Sequence, residues 1–205
     1  MTVEKFNIIG DVAGRYDELL KLLKIMPEAP VIFVGDLIDR GSQGKQVIEW
    51  AMKNAHESVL GNHEQMMIDA HNDYRKDIWL YNGGYSTLDS YGVKLCKDLP
   101  TDHIEWLRNR PIKFESEGLL VTHGPWSKLV SKEVAFNKDS PIMSVLWNRD
   151  PPKKRKMFQV FGHNTVTTTY DDYAICIDNS GNRELMGLHW PTKELFKVDY
   201  LKENV

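Results

Sequence analysis

The segment FNIIGDVAGRYDELLKLLKIMPEAPVIFVGDLIDRG, residues 6–41, decides the fold. It holds two short apolar runs, FNII and VIFV, and each closes in Gly-Asp, at Gly10-Asp11 and Gly35-Asp36. Continuous apolar character predicts strands buried on both faces of a sheet. Between them Leu19, Leu22, Leu23 and Met26 recur at helical spacing, and Pro27 and Pro30 end the helix. Strand, helix, strand in that order predicts a right-handed crossover in a parallel sheet.

Downstream, GKQVIEWAMKNA reads as a second helix, ESVLG as a third short strand and EQMMIDAHNDY as a helix. TDHIEWLRNRP reads as another helix, with Thr101 as its cap, Glu105 in its first turn and Pro111 as its stop. After Pro111 the pattern changes to strand-like runs separated by turn residues: IKFE, GLLVTHG, FQVFGHN, YAICIDNSG, RELMGLHW and ELFKVDY. Few helices intervene, so the second half is expected to be largely antiparallel. The expected fold is α/β (α+β), with two packed sheets flanked by helices.

The chain has 205 residues, room for a single domain spanning 1–205 that buries about 70% of its unfolded surface without disulfide staples. Cys96 and Cys176 are isolated and read as buried free thiols of a reducing compartment. The N-terminus lacks the features of a signal peptide, and no apolar run approaches the ~20 residues of a membrane span. A cytoplasmic protein is expected. A net charge of -3 gives no global pull toward nucleic acid. The basic run PPKKRKM at 151–157 reads as a solvated loop.

Five polar clusters follow apolar runs: Gly10-Asp11, GDLIDRG at 35–41, GNHE at 61–64, THG at 122–124 and GHN at 162–164. Strand-end loops are where α/β sheets bind ligands. Asp11 and Asp36 offer carboxylate oxygen, Asn62 an amide oxygen, and His123 and His163 imidazole nitrogen. That donor set suits Mn, Fe or Zn better than Ca, and the two oxygens of Asp36 can bridge two ions ~3.5–4 Å apart. Each motif alone is ordinary: a Gly-Asp turn, Asn62 capping a helix, a satisfied strand-end histidine. The five together are hard to attribute to accident.

These motifs resemble those of the calcineurin-like metallophosphoesterases, in particular their phosphoprotein-phosphatase branch in its phage and bacterial form. GDLIDRG and GNHEQMMID match that pattern closely, and WLYNGG, VLWNRD, VFGHN and ICIDNSG are similar to its later segments in the same order. The likeness runs from about residue 7 to about residue 190. It implies a β-sandwich with helices outside and two divalent metal ions at the strand ends, Mn first, with Fe, Zn or Ni as other choices. Asp11 would ligate the first metal, Asp36 would bridge, and Asn62, His123 and His163 would hold the second. His63 would be the general acid, steadied by Asp39, and Arg40 and Arg149 would grip the substrate phosphate. The roles agree with the chemistry. Two ions bring the pKa of a water near ~7, guanidinium groups hold phosphoryl oxygens bidentately, and histidine donates protons near neutral pH.

The departure is Ala13. The family pattern is Gly-Asp-x-His-Gly, and this chain reads GDVAG. Ala13 has no donor atom, so the first metal site is left with Asp11, Asp36 and water. Disturbing even an outer partner of a metal ligand costs ~10–100-fold in affinity, so a weak or empty first site is expected, and Asn164 is a candidate compensating group. Relatives of diadenosine tetraphosphatase also replace this histidine. The expected activity is therefore phosphomonoester hydrolysis, on a phosphorylated protein or a small phosphoester. Hydrolysis of dinucleoside polyphosphates or RNA ends is the alternative, and a crippled phosphate-binding module is a third reading. No membrane partner is expected, and nothing in the sequence fixes the oligomeric state. His56, His71, His103 and His189 read as packing residues, as do Met66, Met67 and the tryptophans.

Overall fold

Strand β1 (Phe6–Ile9) is buried along its whole length, because it lies inside a sheet covered on both faces. The structure, a computed structural model, describes residues 4–127 and 144–201. From β1 the chain passes through α1 (Tyr16–Ile25) to β2 (Val31–Phe33), and the two strands pair in parallel with Ile8 opposite Ile32. This is the crossover expected from residues 6–41. Leu19 and Leu22 of α1 have no exposed surface, and burial of such a side chain contributes about 1.5–3 kcal/mol. The helix stops where Met26, ahead of Pro27, turns extended.

Helix α2 (Gly44–Asn54) leads to β3 (Glu57–Ser58), again parallel to β2. On its other side β1 pairs antiparallel with β10 (Glu184–Trp190), Phe6 opposite Trp190. β10 in turn pairs with β11 (Glu194–Asp199) and with the short β9 (Asp178–Asn179). The second sheet holds β4 (Lys113–Ser116), β5 (Leu119–Thr122), β6 (Phe158–Phe161), β8 (Ala174–Cys176) and β7 (Thr168–Tyr170), in that spatial order.

The second half is not largely antiparallel. β5, β6 and β8 run parallel to one another, and only β4 and β7 pair antiparallel, at the edges. The connections explain this. Residues 123–157 give the chain length to return before β6, and β7 passes to the far edge before β8 turns back.

The two sheets pack as a sandwich. Ile8, Ile32 and Val34 of the first meet Val121, Val160 and Ile175 of the second. Their neighbours along the chain, Ile9 and Phe33, face the other way and pack with Leu19, Val47, Met67 and Leu107 of the helical layer, as the period of two along a strand requires.

That layer also includes α3 (Asn62–His71), α4 (Lys76–Trp79), α5 (Tyr85–Tyr91) and α6 (Thr101–Arg108). Two expectations are corrected. α3 ends at His71 and does not run on to Tyr74, since Asp73 and Arg75 take left-handed backbone. Thr101 is the first helical residue of α6, not its cap; Pro100 holds the cap position and Thr101 makes no capping bond. Asp102 supplies the first-turn carboxylate, while Glu105 lies further along and pairs with Arg108.

Cys96 and Cys176 are buried free thiols. In the basic run, Arg155 stacks on Trp126 at 3.5 Å and donates to its carbonyl, and Lys154 pairs with Asp172. Among the described residues, no helix is long and apolar enough to cross a membrane.

Candidate metal centre

Loops from both sheets meet at one end of the sandwich. Asp11 follows β1, Asp36 follows β2, Asn62 and His63 open α3, His123 follows β5 and His163 follows β6. Ligand atoms of Asp36, His123 and His163 lie within 4.8 Å of one another, and all three residues are buried. His123 Nδ1 is 2.9 Å from the Val34 carbonyl. Donating there fixes the tautomer and leaves the lone pair on Nε2. That Nε2 sits 2.8 Å from Asn62 Oδ1 and 3.3 Å from Asp36 Oδ1. His163 Nε2 is buried and has no hydrogen-bond partner among the described residues. Acceptors that converge with no proton between them are costly unless a cation joins them. The carboxylate, amide and imidazole donors fit a divalent ion of the Mn, Fe or Zn type.

The electrostatics point the same way. Burial pushes both metal-facing imidazoles toward the neutral form; His163, with His123 beside it, falls to about 3, and His123 is also lowered. Neutral imidazole is the form that ligates. Burial opposes charge on Asp36, but the neighbouring imidazoles outweigh it and hold its carboxyl at about 2. Asp11 is raised well above the usual carboxylate range by burial, then by the charges of Asp178 and Asp36. A cation among these carboxylates would relieve that repulsion. Asp11 is itself held by the His163 N–H, at 3.2 and 3.3 Å from its two oxygens. Gly162 allows this approach, because a Cβ there would lie 2.0 Å from Asp11 Oδ1.

A second group of residues stands beside the first. His63 Nδ1 meets Asp39 Oδ2 at 2.5 Å, and its Nε2 lies 3.8 Å from Asp36 Oδ2 and 3.4 Å from Arg40 Nη2. Burial alone would lower the His63 pKa, but the Asp36 charge and the Asp39 hydrogen bond raise it to about 9. Asp39 is itself fixed by Thr87 Oγ1 at 2.6 Å and Trp79 Nε1 at 3.0 Å. A π turn at Leu80–Gly84, with Gly83 at φ +111°, joins Trp79 to the helix that carries Thr87. Glu64 accepts the backbone N–H groups of Asp36, Leu37 and Gly61 at 2.8, 2.8 and 3.0 Å, which ties the Asp36 loop to the start of α3. Gly61, not Asn62, holds the cap position of that helix, so the Asn62 amide is free to face His123. Arg149 Nη1 donates to the His163 carbonyl at 2.5 Å and so stands at the rim of the centre.

The sequence reading left Glu64, Trp79, Thr87 and Asp178 unassigned. Glu64 and Trp79 fall inside quoted motifs, GNHE and WLYNGG, but their partners lie 27 and 40 residues away. Ala13 keeps the left-handed backbone of its loop, φ +49°, and donates its N–H to the Asp36 carbonyl at 2.8 Å. Asn164 Oδ1 is buried with no partner among the described residues. Asp36, Asp39, Arg40 and His163 also have positive φ. Left-handed backbone in non-glycine residues costs about 1–3 kcal/mol each and gathers at functional sites. The four outlying histidines are packing residues: His56 against Phe6 and Phe114, His189 on Asn7, His103 on Tyr91 and His71 on the Cys96 carbonyl.

The family profile described as calcineurin-like phosphoesterase matches residues 4–199. Serine/threonine-protein phosphatase 2 of Salmonella typhimurium is 29% identical over 80% of this chain and 82% of its own. Serine/threonine-protein phosphatase 1 of the same organism is 36% identical over 70% and 68%. A symmetrical bis(5'-nucleosyl)-tetraphosphatase of Methylobacillus flagellatus is 34% identical over 69% of this chain, which spans half of that protein. Among solved structures, a putative diadenosine tetraphosphatase superposes with a TM-score of 0.75 over 98% of this chain and 96% of its own at 17% identity, a likeness of fold.

Proposed function

We propose a phosphomonoesterase activity for this chain, which belongs to the calcineurin-like phosphoesterase family, with phosphoserine and phosphothreonine side chains as the substrate. Asp11, Asp36, Asn62, His123 and His163 would hold the metals, with Asp36 between the two sites and Mn as the ion. Bound there, the ions would supply Lewis acidity and a water acidic enough to attack phosphorus at neutral pH. The remaining work falls to the chain itself. Arg40 and Arg149 bind the non-bridging phosphoryl oxygens and orient the ester. His63, held at Nδ1 by Asp39, presents its Nε2 proton to the leaving serine or threonine oxygen. Asp39 fixes that ring and favours its protonated form.

One juxtaposition supports the reading: the raised imidazole of His63 stands 3.8 Å from Asp36, next to a pocket whose acceptors ask for a cation. A pure phosphate binder has use for arginine and none for an oriented proton donor. The test is metal counting on the purified chain together with product analysis. Inorganic phosphate released from a phosphopeptide, rising steeply with added Mn, supports it; a chain that stays inert at millimolar Mn refutes it.

A second reading is hydrolysis of dinucleoside polyphosphates. It is favoured by Ala13 in place of the family's histidine, and by a relative named as a bis(5'-nucleosyl)-tetraphosphatase. Nucleoside phosphates as products would select it.

A further inference from the structure

Beside Ala13 lies a polar cleft that the proposed reaction does not use. Its volume is about 310 Å³, and it is lined by Arg15, Arg40 and Arg183 together with Thr165, Ser180 and Tyr200. Among the described residues no carboxylate lines it. Three guanidinium groups converging without an acid repel one another unless an anion enters. Guanidinium groups bind phosphoryl oxygens in bidentate fashion, and hydroxyls such as those of Thr165 and Ser180 complete such a site.

The walls are built rather than loose. The Arg15 guanidinium lies 4.0 Å from the centre of the Tyr200 ring. The Tyr200 hydroxyl is buried with no hydrogen-bond partner among the described residues, an exception that a ligand atom would resolve. Arg183 takes left-handed backbone, φ +59°, and is fastened on both sides: its N–H donates to the Ser180 carbonyl at 3.0 Å, and its carbonyl accepts the Tyr200 N–H at 2.8 Å. Gly181 is tied to the Thr165 carbonyl at 2.8 Å. Arg40 belongs to both places, since its Nη2 is 3.4 Å from His63 Nε2. The cleft therefore continues directly from the reaction site. At residue 13 a methyl group faces it where the family pattern would put an imidazole.

We propose that this cleft is a second anion subsite, which takes a phosphoryl group joined by an anhydride bond to the phosphate held at the metal centre, with Arg15 and Arg183 as the residues that select for it. The inference rests on the metal centre being the seat of the reacting phosphate. It deepens the substrate question rather than the catalytic one, because an oligophosphate would reach both places and a lone phosphomonoester only one.

The test is calorimetric titration of the full Mn-loaded chain, at fixed free Mn, with orthophosphate and with inorganic tripolyphosphate. Tripolyphosphate should bind at least about tenfold more tightly, since one charge-assisted contact is worth about that factor. Arg183→Gln, on an exposed side chain, should remove most of the difference, and Arg15→Gln should reduce it. Equal affinity for the two anions, or a preference untouched by both variants, overturns the proposal. So does an acidic phosphopeptide that outcompetes tripolyphosphate through the same arginines. A chain that prefers tripolyphosphate but hydrolyses neither a phosphopeptide nor a dinucleoside polyphosphate would keep the subsite and defeat the proposed activity. Phosphopeptide turnover without the preference would do the reverse.

Discussion

His63 Nδ1 and Asp39 Oδ2 lie 2.5 Å apart, and Asp39 has no exposed surface. The pair leaves only Nε2 of the ring to act on a substrate. His63→Asn should therefore cost roughly 10²–10⁴ in phosphoester turnover. Asp39→Asn should cost part of that and shift the alkaline limb of the pH–rate profile downward, because the charge and the hydrogen bond that favour imidazolium are weakened. Steady-state rates between pH 6 and 10 check both. Normal turnover by His63→Asn across that range would remove the acid from the mechanism.

Stability of the metal-stripped chain should peak near neutral pH. His63 is raised to about 9 in the fold, so its contribution is full below the free-histidine value of about 6.5 and is lost as pH climbs through 9. Glu64, lifted to about 8 by burial and the Asp36 charge, contributes below its free value of about 4.3 and fades as pH rises through 8, on the same side. His163, depressed to about 3, works the opposite way: its contribution is full above about 6.5 and is lost as pH falls toward 3. Urea midpoints from pH 4 to 10 should fall on both flanks. His163→Asn should flatten the acid flank and His63→Asn the alkaline one, each by something of order 1–3 kcal/mol. If each variant left its own flank unaltered, the burial and charges ascribed to these rings would be wrong.

Ala13→His should tighten Mn binding by about 10–100-fold, the range found when ligand surroundings are restored. Electron paramagnetic resonance of free Mn during a titration measures it directly, with no need for turnover. An unchanged affinity would mean that residue 13 does not face the ions.

Gly162→Ala should damage the centre through packing. The new methyl carbon would meet Asp11 Oδ1 at 2.0 Å and Val34 Cγ2 at 2.7 Å, and overpacking of that kind costs about 1–3 kcal/mol. Lower urea midpoints together with weaker Mn binding are expected. A variant that kept both would show that the His163 loop yields easily.

Much of the sandwich was legible because β1 and β2 are too apolar to be anything but interior strands, and because Asp11, Asp36, Asn62, His123 and His163 each follow such a run. What escaped depends on distance along the chain. No local pattern says that Trp79 will donate to Asp39, or that Glu64 will gather the N–H groups of Asp36 and Leu37. Strand direction escaped for a related reason. β5 and β6 are joined through residues 123–157, which carry no strong periodicity, so their parallel pairing had no signature in composition. Thr101 was misplaced by one position because Pro100, with its fixed φ, already starts the turn.

The pairing of Phe6 with Trp190 has a consequence for how the chain comes to life on the ribosome. β1 has one sheet neighbour close behind it in the sequence and the other near the far end of the described chain, so the loop bearing Asp11 is clamped only after β10 has emerged. Non-local pairing of this sort slows folding, and a nascent chain cut short ahead of Glu184 would leave the apolar edge of β1 bare. Synthesis and activity are thereby coupled: the centre is assembled late, when almost the whole polypeptide is out.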